Sequence, residues 1–446
     1  MKKEITSIQD TIFAVSTPIA KSGVSIIRVS GANAKNCFHL FRKKISRPRY
    51  AYYTEVIRNE DVKIDDAIVI FFAGPNSFTG EDIIEIHCHG SKAVLNAILF
   101  ELSTIDCFRM ANPGEFAMRS FENGKMDLTQ AEGLADLIEA ETESQLQQAL
   151  KQYSGKTRTV INQWREKLIE IMSLVEAYID FPDEDLPEDL IKDIEDSIDS
   201  LKKELNNSID DNHIGERIRD GFNVAILGEP NAGKSSLMNL LSKREVSIVS
   251  EIEGTTRDSI EVHLDIKGFP VIIHDTAGIR KSSDIIEQKG VEIAINKAQS
   301  ADLKLVIIDS SADKISKELK EIIDKKTIVI FNKIDKANPT INLDNSQDVV
   351  EISVKQELNI DKLIDLITNK TTKFFHNYQS SIISRNRYRN DISLCINELN
   401  KFSLSKEIEL AAEDLRQAAN HLGRITGEID VESILGKIFS SFCIGK

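Results

Sequence analysis

Glycine, proline and cysteine are all scarce in this 446-residue sequence. Its 21 glycines and nine prolines exclude a collagen-like or linker-dominated chain. The five cysteines are an odd number, widely scattered and without a Cys-x-x-Cys pair, so we expect free thiols in a reducing compartment. No apolar run approaches the roughly 18 residues of a membrane span, and the N-terminal residues lack the apolar core of a signal peptide. We therefore expect a soluble, cytoplasmic protein of roughly three domains.

Positively charged residues are also fewer than negatively charged ones. The sequence has 56 Lys and Arg residues and 71 Asp and Glu residues, which gives a net charge of −15. Residues 180–211 alone contain 13 acids and three lysines, which is a net charge of −10. The remaining sequence is therefore close to neutral, and the acidic balance does not exclude RNA as a partner. Apolar residues at spacings of three and four predict that this acidic segment is an amphipathic helix with a solvated acidic face: Leu190, Ile194, Ile198, Leu201 and Leu205.

Four segments differ in their patterns. Residues 1–118 are rich in short strand-like runs, residues 119–216 are helical, residues 217–372 alternate strands with helices, and residues 373–446 are helical again. Because helical segments flank the alternating one, we expect a discontinuous helical domain with an α/β domain inserted into it.

The same patterns predict individual elements. In the first segment we expect a helix at Ser91–Leu102 and strands at Ile12–Val15, Val24–Val29, Ala67–Phe72 and Ile83–His87. The helical segment should contain helices at Leu128–Leu150 and Val160–Ile179. The alternating segment predicts a parallel sheet with strands Asn223–Leu227, Val271–His274, Leu303–Ile308, Thr327–Phe331 and Val349–Ile352.

A phosphate-binding loop lies between a predicted strand and a predicted helix. Residues 228–235 read Gly-Glu-Pro-Asn-Ala-Gly-Lys-Ser and match G-x-x-x-x-G-K-[ST]. The backbone N–H groups of such a loop bind phosphate, Lys234 adds positive charge, and the Ser235 hydroxyl ligates Mg²⁺.

Further elements indicate that the nucleotide is GTP. Asp275-Thr276-Ala277-Gly278 closes one predicted strand, where a γ-phosphate sensor belongs. Asn332-Lys333-Ile334-Asp335 ends another, and its final carboxylate can accept two N–H donors of guanine. Gly254–Thr256 provides a switch threonine for Mg²⁺, and Ser353-Val354-Lys355 is the last base-side loop. The position after Asp-x-x-Gly is Ile279 instead of the glutamine that orients water in Ras-like enzymes, so another group must complete the site.

Several motifs together resemble the MnmE (TrmE) family of tRNA-modification GTPases over nearly the full length. They are Asn76–Asp82, Asn112–Phe116, Asn123–Leu128, Phe181–Asp185, Ile425–Ile429 and the terminal Cys443-Ile444-Gly445-Lys446. The resemblance implies an α+β N-terminal folate-binding-like domain, a discontinuous α-helical domain and an inserted α/β Ras-like P-loop GTPase domain. It also implies a homodimer joined through the N-terminal domains.

The resemblance further implies a reaction. With an FAD-dependent MnmG-type partner, in a heterotetramer, the family adds an aminomethyl-type group to C5 of the wobble uridine of certain tRNAs. The donor is a tetrahydrofolate derivative, 5-formyl- or 5,10-methylene-. The implied folate ligands are Arg28, Glu85, Lys125 and Lys446, and Cys443 is a candidate catalytic thiol, with simple packing as the open alternative.

For hydrolysis the resemblance implies K⁺ bound by Asn231, Ser250, Ile252 and Thr255, with Glu287 orienting the water. Ser235 and Thr256 are the expected Mg²⁺ ligands. The complete predicted GTP site comprises Asn231, Ala232, Gly233, Lys234, Ser235, Ser236, Ser250, Glu251, Ile252, Glu253, Gly254, Thr255, Thr256, Asp275, Thr276, Ala277, Gly278, Asn332, Lys333, Asp335, Ser353, Val354 and Lys355.

Two other functions remain open from the sequence. The first is a ribosome-assembly or translation GTPase that only docks on RNA, which would need neither a folate-type domain nor the terminal Cys-Ile-Gly-Lys. The second is an aminomethyltransferase with a regulatory GTPase domain, which would bind tetrahydrofolate without affecting tRNA.

Overall fold

The computed structural model divides the chain into two compact units. Unit 1 comprises Met1–Ala135, Arg158–Asn162 and Leu422–Lys446, and unit 2 comprises Asp136–Thr157 and Gln163–His421. The residues described are 10–58, 61–180, 188–244, 261–275, 300–341, 343, 347–376, 381–404, 407–429, 432–440, 442 and 445.

Unit 1 contains a six-stranded sheet in the order β3-β4-β5-β2-β1-β6. Its neighbouring strands are antiparallel except for the parallel pair β1–β6. The predicted strands are confirmed within a few residues, while β3 and β6 have no counterpart among the predictions. The strands are β1 (Thr11–Val15), β2 (Ser22–Ser30), β3 (Ala51–Arg58), β4 (Val62–Phe72), β5 (Ile83–Gly90) and β6 (Phe108–Met110).

One face of this sheet is covered by helix α1 (Lys92–Ser103) and a 3₁₀ helix (Ala34–Leu40). Helix α1 begins where predicted, because the Ser91 hydroxyl accepts a hydrogen bond from the backbone N–H of Val94. Near β1 the other face is covered by Phe116 of helix α2 (Glu115–Glu122), which packs against Ile12 and Ala14. Helices α3 (Leu128–Glu139) and α13 (Glu432–Ser440) complete a second apolar cluster with α2.

Unit 2 contains the other sheet, in the order β12-β11-β10-β7-β9-β8. The prediction of a parallel sheet is correct except at β8, which runs antiparallel to β9. The reason is a tight hairpin at Lys267 and Gly268, whose positive φ values suit a two-residue turn. The strands are β7 (Phe222–Gly228), β8 (Glu261–Ile266), β9 (Phe269–Asp275), β10 (Leu303–Asp309), β11 (Thr327–Asn332) and β12 (Asp348–Ile352), and the helices next to them in the chain are α8 (Lys234–Leu241), α9 (Lys317–Ile322) and α10 (Ile360–Phe374).

The remaining helices are α4 (Glu143–Tyr153), α5 (Lys156–Asp180), α6 (Glu188–Ile209), α7 (Ile214–Asp220), α11 (Asn386–Lys401) and α12 (Ile408–Thr426). The single predicted helix Leu128–Leu150 is wrong, because a capping box at Thr142 and Gln145 begins a new helix, α4. The amphipathic prediction for α6 is confirmed by its buried stripe of Ile194, Ile198, Leu201 and Leu205. In the part of the chain that is described, no helix is long and apolar enough to cross a membrane.

Candidate functional site

The phosphate-binding loop connects β7 to α8 and depends on two glycines. Gly228 and Gly233 have φ values of 154° and 107°. A Cβ at 228 would overlap the carbonyl of Ile307, and a Cβ at 233 would overlap the amide of Asn332. Only glycine therefore fits these positions without moving a neighbour. The tip of the loop is Asn231, which is exposed and also has a positive φ of 64°.

Lysine and serine side chains follow the loop at the start of α8. Lys234 Nζ donates to the carbonyl oxygens of Gly228 and Glu229 at 2.7 and 2.8 Å, so its ammonium lies across the loop. The Ser235 hydroxyl donates to Asp275 Oδ2 at 3.3 Å. A hydroxyl and a carboxylate that face each other beside a helix N-terminus are the oxygen ligands that Mg²⁺ prefers. These residues therefore fit Mg²⁺ bound together with a nucleotide phosphate.

Asn332 joins the phosphate loop to the base-side loop. Its side chain is buried, its Nδ2 donates to the Ala232 carbonyl at 2.8 Å, and its Oδ1 accepts from the Val354 N–H at 3.1 Å. Both amide functions are thus used to hold backbone groups of two separate loops. The primary action of this predicted GTP-binding residue is therefore to position the loops.

Asp335 and Ser353 form the base-recognition edge. The Ser353 hydroxyl donates to Asp335 Oδ1 at 2.6 Å and accepts from the backbone N–H of Gln356 at 3.2 Å. The hydrogen bond from Ser353 lowers the pKa of the Asp335 carboxyl, so the group is ionised at neutral pH. Its other oxygen is available to accept from a purine donor.

Asp309 was missed in the sequence and belongs to this site. It ends strand β10, and its Oδ2 accepts from Lys333 Nζ at 2.6 Å, while the same ammonium donates to the Asn231 carbonyl at 2.7 Å. Partial burial raises the pKa of Asp309, but hydrogen bonds from Lys333 and Ser311 outweigh it and bring the pKa to about 2. The sequence feature that could have identified Asp309 is its position at the carboxyl end of a buried parallel strand, because parallel sheets bind ligands at that edge.

The structure thus brings together Asn231–Ser236, Asp275, Asn332, Lys333, Asp335 and Ser353–Lys355 at the carboxyl edge of one sheet. The other predicted nucleotide residues lie outside the described residues. They are Ser250, Glu251, Ile252, Glu253, Gly254, Thr255, Thr256, Thr276, Ala277, Gly278 and Glu287.

In unit 1, two of the predicted folate residues form an ion pair. Arg28 on β2 and Glu85 on β5 are register partners, and Arg28 Nη2 lies 2.9 Å from Glu85 Oε1. The guanidinium carbon is also 5.5 Å from the Phe78 ring centre and 5.8 Å from that of Phe116. The second carboxylate oxygen, Oε2, lies 3.4 Å from His87 Nε2.

Glu85 and Lys125 line the same cleft, which has a volume of about 520 Å³. Its wall also includes Arg49, whose guanidinium donates to the Asn76 carbonyl at 2.5 Å and lies 5.4 Å from the Phe72 ring centre. The cleft therefore combines a carboxylate with two cations and aromatic rings.

The C-terminal tail reaches the same unit. The Ser16 hydroxyl donates to the Gly445 carbonyl at 3.0 Å, directly after β1. Strand β1 is paired with β2, so Gly445 contacts the strand next to that of Arg28. The predicted residues Cys443 and Lys446 lie outside the described residues. Among the residues described, no cluster of His, Cys, Asp and Glu side chains is arranged to hold a metal ion.

Comparison with known proteins identifies the family. The family described as the GTP-binding protein TrmE N-terminus matches residues 11–125, and the family described as the MnmE helical domain matches residues 128–443. The tRNA modification GTPase MnmE of Rickettsia akari is 44% identical, over 98% of this chain and 100% of its own. The chain belongs to the MnmE family.

Membership in the MnmE family makes this chain a GTP hydrolase that takes part in tRNA modification. A second relative, the tRNA modification GTPase MnmE of a Wolbachia strain from Drosophila simulans, is 45% identical over 99% of this chain and 100% of its own. Neither relative supports the alternative of a ribosome-assembly or translation GTPase.

Among solved structures, the G domain of the T. maritima FeoB iron transporter matches with 27% identity. The match covers 33% of this chain and 98% of that chain, with a TM-score of 0.26. At that score the overall likeness is too small to support a conclusion about function.

Proposed function

We propose that this chain is a K⁺-activated GTPase that acts with an FAD-dependent MnmG-type partner. Together they add an aminomethyl-type group to C5 of the wobble uridine, position 34, of certain tRNAs, and a tetrahydrofolate derivative supplies the carbon. The single observation that carries the proposal is the Arg28–Glu85 pair at a cleft shared with Lys125, in a unit of a chain that also has a GTPase site.

The charges of the cleft suit a folate. A pterin presents adjacent N–H donors, and the Glu85 carboxylate can accept from them through Oε2, the oxygen that is not bonded to Arg28 and that lies 3.4 Å from His87 Nε2. Lys125 and Arg49 suit the carboxylates of a glutamyl tail. The contact between Gly445 and Ser16 supports delivery of Lys446 and Cys443 to the same unit. When bound, the folate would supply the one-carbon unit.

At the nucleotide, the proposal assigns Ser235 and Thr256 to Mg²⁺. It assigns K⁺ to Asn231, Ser250, Ile252 and Thr255, and it gives Glu287 the role of orienting water. The exposure of Asn231 at the loop tip, with its backbone held by Lys333, supports this assignment. Bound K⁺ would neutralise charge that develops between the β- and γ-phosphates, as an arginine finger does in other GTPases.

We propose a homodimer joined through the N-terminal domains, a heterotetramer with the FAD-dependent partner, tRNA as the substrate and a cytoplasmic location. The four-part division at residues 118, 216 and 372 belongs to the same proposal. The match to curated relatives over almost the whole chain supports it.

Isothermal titration of the full-length protein with 5-formyltetrahydrofolate tests the folate assignment. Glu85→Ala should weaken binding at least about tenfold, because a charged hydrogen bond contributes roughly 1.5–3 kcal/mol. Glu85→Gln should also weaken it, because the amide keeps the shape of the side chain but presents donors to the pterin amine. The matched control is Asp66→Ala, which removes an ion-paired acid from the neighbouring strand β4.

The titration contradicts the assignment if Glu85→Ala binds as tightly as the wild-type protein. It also contradicts it if Asp66→Ala loses as much affinity, because the effect would then reflect the charge of the whole sheet instead of one pocket.

A further inference from the structure

The sheet face that carries the Arg28–Glu85 pair continues to the edge strand β3. The strand registers place Arg28, Glu85, Ile70 and Ala51 side by side across β2, β5, β4 and β3. In the next row on the same face, His87, Ile68 and Tyr53 lie side by side across β5, β4 and β3. Because neighbouring strands are about 4.8 Å apart, the β3 residue of each row is roughly 10 Å from the β5 residue of the same row.

This face is open at the β3 end. Tyr53 is 64% exposed and its register partner Ile68 is 42% exposed, while Thr54 and Val56, which point to the other face, are buried. Tyr50, just before β3, is 51% exposed, but its ring packs edge-on against Tyr52, which points to the covered face like Thr54 and Val56. Aromatic rings on an open sheet face are the platforms on which proteins stack unpaired nucleobases.

Cations border the same end of the sheet. Lys43, Lys44 and Arg47 are exposed, and no carboxylate of the described residues is paired with any of them. Arg47 lies 5.9 Å from the Tyr50 ring centre. By contrast, the nearby cations Arg42 and Lys63 both form ion pairs with Glu55.

The edge of β3 is itself covered. Phe41 forms a bridge with Val56, the Arg42 N–H donates to the Glu55 carbonyl, and the Lys43 N–H donates to the Thr54 hydroxyl. Addition of a strand from a second copy is therefore disfavoured along this part of β3. The surface offers rings and cations instead of a free row of backbone groups.

We propose that Lys43, Lys44, Arg47, Tyr50 and Tyr53 form a basic-aromatic surface around the β3 edge of the sheet, and that this surface binds the unpaired nucleotides of a tRNA loop. The cations contact phosphates and Tyr53 stacks on a base, so that a neighbouring base is held on the same sheet face as Glu85. This inference rests on the proposed function, because it deepens that function by naming where the RNA substrate docks.

Fluorescence anisotropy of the full-length protein with a labelled anticodon stem-loop, measured over a range of KCl concentrations, tests the surface. Tyr53→Ala should weaken binding at least about fivefold, the lower end of what one stacked base contributes, and Tyr53→Phe should restore it. Lys44→Ala and Arg47→Ala should each reduce the slope of log affinity against log salt by about 1. Lys92→Ala is the matched control, because this exposed lysine begins α1, on the covered side of the sheet.

The result that overturns the proposal is unchanged affinity in Tyr53→Ala together with unchanged slopes in the two cation variants. A change of sedimentation coefficient in Tyr53→Ala would also overturn it, since the face would then join two copies of the chain. Titration with 5-formyltetrahydrofolate should be unaffected in every one of these variants. If these variants keep normal folate binding, normal wobble modification and unaltered RNA affinity, the docking surface is refuted but the proposed function is not.

Discussion

Replacement of Asn332 by alanine tests how the nucleotide site is held together. The buried side chain bonds the Ala232 carbonyl at 2.8 Å and the Val354 N–H at 3.1 Å, and it packs against Gly233. Asn332→Ala removes both hydrogen bonds and leaves two backbone groups without these partners. The phosphate loop and the loop at Val354 then lose a side chain that connects them directly.

The size of the effect follows from these two contacts. A buried polar group without a partner costs roughly 1–3 kcal/mol, so two such groups cost at most about 6 kcal/mol. Because loop relaxation lets water reach both groups, we expect the lower part of this range, about 2–3 kcal/mol. If this loss appears in nucleotide binding, affinity falls by about 30- to 150-fold.

Titration with a fluorescent GDP analogue measures this loss, and thermal unfolding of the nucleotide-free protein reveals any global destabilisation. The matched control is Asn206→Ala, which removes an exposed amide that donates to the Lys202 carbonyl on helix α6. Nucleotide affinity within twofold of wild type for Asn332→Ala would refute the interpretation that this residue braces both loops.

Three further predictions concern hydrolysis and pH. GTP turnover should rise steeply when K⁺ replaces Na⁺, and Asn231→Ala should abolish the rise; equal rates in the two buffers would exclude the cation mechanism. Glu287→Ala should slow single-turnover hydrolysis while the affinity for a GTP analogue stays unchanged, and a parallel loss of affinity would contradict its role in orienting water. The pKa of Asp309 is lowered to about 2, so this carboxylate contributes stability that is present above its unfolded pKa and is lost as the pH falls toward 2. The difference in unfolding free energy between wild type and Asp309→Asn should therefore shrink between pH 5 and 2.5. A constant difference would contradict the ion pair with Lys333.

Local patterns predicted much of the fold. The strands around the nucleotide site are bounded within one or two residues of the predictions, because buried parallel strands are short apolar runs with clear ends. The hairpin at Lys267 and the new helix at Thr142 were missed, because each depends on turn or cap geometry inside an otherwise continuous pattern. Strand β3 was missed because its exposed residues, such as Tyr53, break the expected alternation of polar and apolar positions.

The candidate sites show a different limit of sequence reasoning. The motifs placed Asn332 in the nucleotide site, but only the packing shows that its amide is used by Ala232 and Val354. Likewise, Arg28 and Glu85 are 57 residues apart in sequence, and only the register of β2 and β5 makes them neighbours. Register is a property of the whole sheet, so no local pattern could have predicted it.

Mass spectrometry of wobble uridines in tRNA from cells that lack this protein tests the central claim most directly. We predict that position 34 of certain tRNAs in these cells lacks its aminomethyl-type group at C5. Re-expression of the wild-type chain should restore the group, and re-expression of Glu85→Ala should not. An unchanged set of wobble uridines in the deleted cells would contradict the account.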